Sequence, residues 1–176
     1  MNIVKRRTNI KLSINNSIER HPVPVLGVDY RVKIVYKNIK ITELDVEEKT
    51  IKISLPNKYK KMSNTTILDL AIEKMYEQIA NVEIERAMEK TRIMLGFAPE
   101  EFEIKKINTF GKCEDGKIII NPEIVKYGRK IIDYVVLHQY CHLKYKTHCK
   151  AFYNLLAKYE INYKSYEELL AKINIK

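Results

Sequence analysis

Four histidines occur in this chain, and three of them, His138, His142 and His148, fall within eleven residues of the stretch DYVVLHQYCHLKYKTHCKAF (133–152). His138 and His142 are four apart, a rotation of about 400° on an α-helix, so both imidazoles leave one face about a turn apart. Two nitrogen donors so placed can hold one Zn²⁺ without moving the backbone. His148 is too far along to share that face on a straight helix. It can complete a site only if the chain bends back after His142, which the polar run 144–147 permits. Three nitrogens and a solvent position form a catalytic rather than a structural zinc geometry. The bland alternative is a helix that carries polar histidines. It is weakened by the third His and by the apolar Val135, Val136 and Leu137 just upstream, because a buried unpaired imidazole is costly.

One position conflicts with hydrolysis. In the HExxH pattern the residue after the first His is Glu, a general base toward the attacking water. Here it is Gln139. A carboxamide can hold water by hydrogen bonds but cannot accept its proton at neutral pH. Asp133, Glu114 and Asp115 are the nearby acids that could stand in. Lys112, Tyr134 and Tyr140 are candidates to stabilise an oxyanion, with Tyr140 disfavoured because it points about 200° away from His138. Cys141 reads as a small buried filler. Cys149 adjoins His148, and neighbouring side chains on a regular element diverge.

The elements that must position this cluster follow from periodicity. Residues 131–143 are apolar on most faces, which predicts a helix buried in mid-domain. A second helix follows His148 with Phe152, Leu155, Leu156 and Tyr159 inward. Ser165 caps a short last one that holds Leu169, Leu170 and Ile173. Upstream, Asp115-Gly116 between two extended runs predicts a hairpin, and Pro122 suits a first helical turn. EFEIKKI (101–107) reads as a strand. Residues 1–64 alternate with period two: Ile10, Leu12 and Ile14 follow Lys5-Arg6-Arg7. Further strands come at 28–36, 41–46 and 50–55, where Pro56 ends the last. His21, beside Pro22 and Pro24, reads as surface or turn. From Ser63 the period changes. Ile67, Leu68, Ala71, Ile72, Met75, Ile79 and Val82 recur at helical spacing up to Leu95, where Gly96 offers a stop. At about 45 Å such a helix is long for the chain, which allows a break near Asn81.

Composition bounds the rest. The 176 residues are 45% hydrophobic and 31% charged, an ordinary globular balance that excludes a disordered chain. No apolar run approaches the ~20 residues of a membrane span, and the first residues show no signal-peptide core. Cys113, Cys141 and Cys149 are odd in number and lack a CxxC pair, which fits a reduced, cytoplasmic setting. The net charge of +10 is uneven. Residues 1–64 hold fourteen Lys and Arg against six acids. That favours weak, non-specific association with nucleic acid or another polyanion rather than a dedicated site, since no nucleic-acid motif accompanies it.

Taken together, IIDYVVLHQYCHLKYKTHCKAFYNLLAKY, FGKCEDGKIIINPEIV and LGVDYRVKIVY resemble the YgjP-like (DUF45) zinc metallopeptidases. These are related to the WLM and SprT-like domains of the zincin superfamily. The family's usual patterns are DYVVxHELxHLxxxxHxxxFW, WGSCxxxGxIxLNxxLv and LGxxYxL. The resemblance implies an α+β zincin-like fold with a mixed sheet and a central metal-binding helix. Residues 1–64 would be an N-terminal β-rich region and 65–176 the catalytic domain. It implies Zn²⁺ on His138, His142 and His148, and a cleft wall of Phe110, Gly111, Lys112 and Cys113. It also implies a substrate-pairing edge strand of Ile118, Ile119 and Ile120. The departures are Gln139 for the catalytic Glu, Phe110 for Trp and Lys112 for Ser.

Three functions remain open at this point. The first is a zinc metallopeptidase acting on peptide or protein, monomeric, and impaired as written by Gln139, whether that residue is natural or introduced. The second is a non-catalytic zinc-binding pseudoenzyme or partner-binding module. The third is a metal-dependent hydrolase of nucleotide phosphoanhydrides.

Overall fold

The period-two runs near the start of the chain become strands. The computed structural model describes residues 9–13 and 17–173, and the chain divides into two compact units, Met1–Met75 and Tyr76–Lys176. Lys5-Arg6-Arg7, Ile14 and the side chain of His21 lie outside the described residues.

In the first unit, β1 (Asn9–Ser13), β2 (Ser17–Val25), β3 (Val28–Lys37), β4 (Glu43–Glu47) and β5 (Thr50–Pro56) form one sheet in the order β1-β2-β3-β5-β4. β3 and β5 run parallel, whereas the other neighbours are antiparallel. Register sets Ile18 beside Ile34, Val32 beside Ile51 and Ile34 beside Ile53, so these branched side chains share one face. All five are 3% exposed or less. Each contributes on the order of 1.5–3 kcal/mol of gross burial energy. Pro22 lacks the N–H a ladder needs and falls where β2 shifts register, between Arg20 and Val23, whereas Pro24 stays in register opposite Asp29.

The long helix α1 (Asn64–Leu95) starts where Ser63 Oγ accepts the Thr66 N–H and stops at Gly96, whose φ of +75° few other residues would adopt. It has no break at Asn81. The segment holds neither Pro nor Gly, and Asn81 is exposed, where it needs no partner from the fold. The expected apolar stripe is corrected in its second half. Val82 is 67% exposed, and burial continues through Ala80, Glu83, Ile84, Ala87, Met88 and Thr91. Thr91 is satisfied by donating its hydroxyl to the Ala87 carbonyl.

In the second unit, β6 (Glu101–Ile104), β7 (Gly111–Glu114) and β8 (Lys117–Ile120) form a sheet in the order β6-β8-β7. The β7–β8 hairpin turns at Asp115-Gly116, both at positive φ, as the sequence predicts. The assignment of Ile118, Ile119 and Ile120 to an edge strand is wrong. β8 is the central strand, parallel to β6 on one side and antiparallel to β7 on the other. Ile118 and Ile120 are fully buried. β6 is separated from β8 in sequence by the whole of β7, so no local pattern announces their pairing. The edge strand β7 packs against the first of the C-terminal helices.

Asn121 is fully buried and ties the end of β8 to its surroundings. Its Nδ2 donates to the Ile107 carbonyl, and its Oδ1 accepts the Glu123 N–H at the head of a 3₁₀ turn, Pro122–Lys126. Three helices end the chain: α2 (Arg129–Lys144), α3 (Lys150–Tyr159) and α4 (Tyr163–Ala171). Nine of the sixteen residues of α2 are buried, as its apolar composition requires. α4 begins after Asn162, so Ser165 lies inside it rather than capping it.

A charged network joins α1 to α2. Glu83 is 6% exposed and accepts from Arg129 Nη2 at 2.6 Å and from Arg86 Nε at 3.1 Å. Arg86 Nη2 and Lys90 Nζ then reach Asp133 at 2.7 and 2.6 Å. The Arg129 hydrogen bond, with Arg86 behind it, holds the Glu83 carboxyl below its ordinary value of 4.5 despite its burial. Replacing Glu83 with Gln should therefore cost about 1–3 kcal/mol at neutral pH, read as a lower urea midpoint. A depressed carboxyl stabilises fully above its unfolded value and loses that contribution as pH falls through the folded one. The gap between the unaltered chain and Glu83→Gln should accordingly shrink as pH drops below about 4.5.

Candidate metal centre

His138 and His142 sit on one face of α2, on its last two turns, with ring centroids 5.0 Å apart. The helix ends at Lys144, and the chain folds back over residues 145–149 before α3 begins at Lys150. This reversal brings His148 to the pair. Its Nε2 is 3.0 Å from His138 Nε2, and its ring centroid is 4.9 and 4.8 Å from those of His138 and His142. One ligand nitrogen from each ring lies within 4.8 Å of the others. Nitrogens 2.0–2.1 Å from a tetrahedral ion are roughly 3.3 Å apart, so modest rotation of the rings would let all three share one ion.

The other edges of the helical imidazoles are already committed. His138 Nδ1 is 3.2 Å from the Tyr134 hydroxyl, one turn earlier on α2, and His142 Nδ1 is 3.1 Å from the Tyr145 carbonyl. A carbonyl only accepts, so His142 Nδ1 donates, which leaves its Nε2 free to ligate. Beneath all three rings lies Phe152 of α3. Its own ring is fully buried, with centroids 5.0, 4.7 and 4.7 Å from His138, His142 and His148. Burial, reinforced by the neighbouring imidazoles, lowers the pKa of His138 to about 3, and burial first of all lowers that of His142. Both are neutral donors at physiological pH. His148 is exposed, so the site opens to solvent on its side.

Gln139 is 6% exposed and sits on the floor of a cavity of about 340 Å³ that His138 and His148 also line. Across the cavity, Gly111 of β7 presses so close that a Cβ there would meet Gln139 Cγ at 2.9 Å. Phe110 and Gly111 line this cavity. Lys112 and Cys113 are not in its lining. Strand alternation turns Lys112 outward, where it pairs with Glu114 at 2.6 Å, while Cys113 is half-buried with its thiol raised by burial.

The stand-in acids are engaged or misplaced. Asp133 is held by Arg86 and Lys90, Glu114 by Lys112, and Asp115 sits in the hairpin turn. Tyr140 is a core residue whose hydroxyl donates to the Met88 carbonyl. Cys141 is the buried filler expected, its thiol pushed up to about 12 by burial.

Sequence reading missed the other side of the cavity, which Tyr153 of α3 and Glu167 and Leu170 of α4 provide. Leu169, expected inward, is 43% exposed. The inward face of α4 is Tyr163, Tyr166, Glu167 and Leu170, all half-buried. That three-to-four spacing is visible in the sequence, but its tyrosines and glutamate do not register as an apolar stripe.

A family model described as YgjP-like, metallopeptidase domain, matches residues 2–173. No curated protein matches the chain. Among solved structures, a crystal structure of the metallopeptidase zymogen of Pyrococcus abyssi abylysin is similar at 19% identity and a TM-score of 0.45. The similarity covers 51% of this chain and 94% of that one, and at that score it adds nothing to the reading of the site.

If the three imidazoles bind as a unit, equilibrium dialysis should find about one zinc per chain at neutral pH. Alanine at any one of the three should weaken binding far more than Tyr134→Phe. That milder variant removes only the hydroxyl at His138 Nδ1 and should weaken binding by about tenfold to a hundredfold. Full retention of zinc by His148→Ala would show that the rings do not act together.

Proposed function

The chain belongs to the YgjP-like metallopeptidase family, and from that membership we propose a zinc-dependent peptidase site that lacks its general base in the present sequence. The observation that carries the reading is the meeting of three imidazoles beside a cavity whose floor residue is Gln139. The donor set of three neutral imidazoles, with Nδ1 partners for two of them, suits zinc. When bound there, zinc would supply Lewis-acid polarisation of the scissile carbonyl and acidify water.

The protein residues have separate tasks in this reading. His138, His142 and His148 hold the ion, and Tyr134 and the Tyr145 carbonyl fix the orientation of the first two rings. β7 is a sheet edge next to α2, so an extended peptide would pair with its main chain. Phe110 and Gly111 form the wall past which that peptide would lie. The side chain at position 139 faces the attacking water. As Gln it can orient that water but cannot take its proton, so the proton has no acceptor to pass through to the leaving amine. The sequence as it stands therefore hydrolyses peptides slowly or not at all. A non-catalytic zinc-binding module that holds partners in the same cleft is the second reading, and Gln139 is the observation that favours it. Nothing favours phosphoanhydride hydrolysis: among the described residues the metal-binding cluster includes no carboxylate.

Gln and Glu differ by one terminal atom, so Gln139→Glu restores the base without changing the packing. The unaltered chain and Gln139→Glu should bind zinc equally. The Glu form should cleave unstructured peptides at least about a hundredfold faster. Equal zinc with no cleavage by either would leave the binding-module reading standing. Adding Gly111→Ala to the Glu form should lower its rate by about tenfold or more and leave zinc stoichiometry unchanged, because the new methyl group displaces residue 139 and not the histidines.

A further inference from the structure

The cavity beside the histidines has one charged wall residue. Its sides are Phe110, Tyr134, Val135, Tyr153 and Leu170, which are aromatic or aliphatic, and Glu167 of α4 is the only acid or base among them apart from the histidines. Glu167 is half-buried, and among the described residues no Lys or Arg forms an ion pair with it. Its carboxylate lies near the Tyr134 hydroxyl and its negative charge helps to raise the pKa of that group, behind burial. A carboxylate offers about four lone-pair positions to such a cavity. A half-buried carboxylate without a cation, set among aromatic walls, is a receptor for a positively charged group. The ammonium or guanidinium would meet the carboxylate, and its aliphatic stem and charge would lie against the tyrosine rings.

We infer that Glu167 makes this a subsite for a basic side chain, so that the enzyme prefers peptides with Lys or Arg next to the bond to be cut. The inference rests on the peptidase reading above and adds to it the class of substrate. The chain's net charge of +10 acts against it at long range. That repulsion is screened over about 8 Å at physiological salt, whereas the Glu167 contact is direct and partly desolvated, so the contact decides the preference. Leu, Phe or Met side chains would fill the same aromatic walls but leave Glu167 without a cationic partner.

The test uses peptides that differ at a single position on either side of the scissile bond, carrying Lys, Arg, Leu or Glu. With the zinc-loaded Gln139→Glu protein, kcat/KM for Lys or Arg should exceed that for Leu by about tenfold to a hundredfold at one of the two positions. Glu167→Gln should remove this difference, and Glu167→Lys should shift preference toward Glu. A second readout needs no turnover. Fluorescence anisotropy on the zinc-loaded unaltered chain should give the same order of Kd for the same peptides, and Glu167→Gln should level it. Zinc stoichiometry and circular dichroism check that the variants fold. Cleavage or binding that is indifferent to the basic residue, or a preference that survives Glu167→Gln, overturns the inference. If Gln139→Glu cleaves nothing, the peptidase reading fails instead, and the anisotropy series still decides whether Glu167 selects a cation.

Discussion

The contact of three imidazoles with the buried ring of Phe152 is the constraint on which the site depends. Two of the histidines are placed by helical geometry alone, but the third comes from a separate loop and must be brought back over about one helix turn. Phe152 makes that return energetically sensible. It follows His148 by four residues, heads the inward face of α3 and buries itself fully against all three rings. The convergence of the three histidines and the docking of α3 on α2 are thus one packing event. Without the aromatic floor, the desolvation that keeps His138 neutral would be lost together with the convergence of the donors.

The same economy appears on the other side of α2. Its first turn is tied to α1 through Arg129 and Glu83, and Asp133 is tied through Arg86 and Lys90. These ion pairs fix the helix at the end remote from the histidines. Near the histidines, β7 approaches closely because residue 111 is glycine. Gln139 lies between these supports, in a place shaped for a residue of its length. Its chemistry differs from that of a carboxylate while its fit does not. Either side chain would therefore leave the architecture of the cavity as it is.

Much of this was legible in the sequence. The spacing of His138 and His142, the polar reversal before His148, the Asp115-Gly116 hairpin and the buried character of α2 all follow from local periodicity, and the structure has each of them. What was not legible depends on non-local pairing or on small side chains. β8 became the central strand because β6 joins it from across the hairpin. The second half of α1 buries Ala80 and Ala87, whose small side chains look neutral in a hydrophobic pattern. Glu167 was hidden because a glutamate on a surface helix ordinarily faces water. Only the fold of α4 toward α2 reveals that this one shares a cavity with the histidines.

The reversal between α2 and α3 also joins occupancy to stability. His148 stands two residues before α3, and its partners lie on α2, so an ion bound to all three would cross-link the two helices. Such a ligand binds the docked arrangement and not the undocked one. It would therefore stabilise the C-terminal helices by an amount that grows with the logarithm of free zinc, about 4 kcal/mol at a thousandfold excess over its dissociation constant. Zinc in the surroundings would then act as a folding effector for the C-terminal helices. Protease resistance of α3 and α4 would report the zinc concentration even in a protein that cleaves nothing.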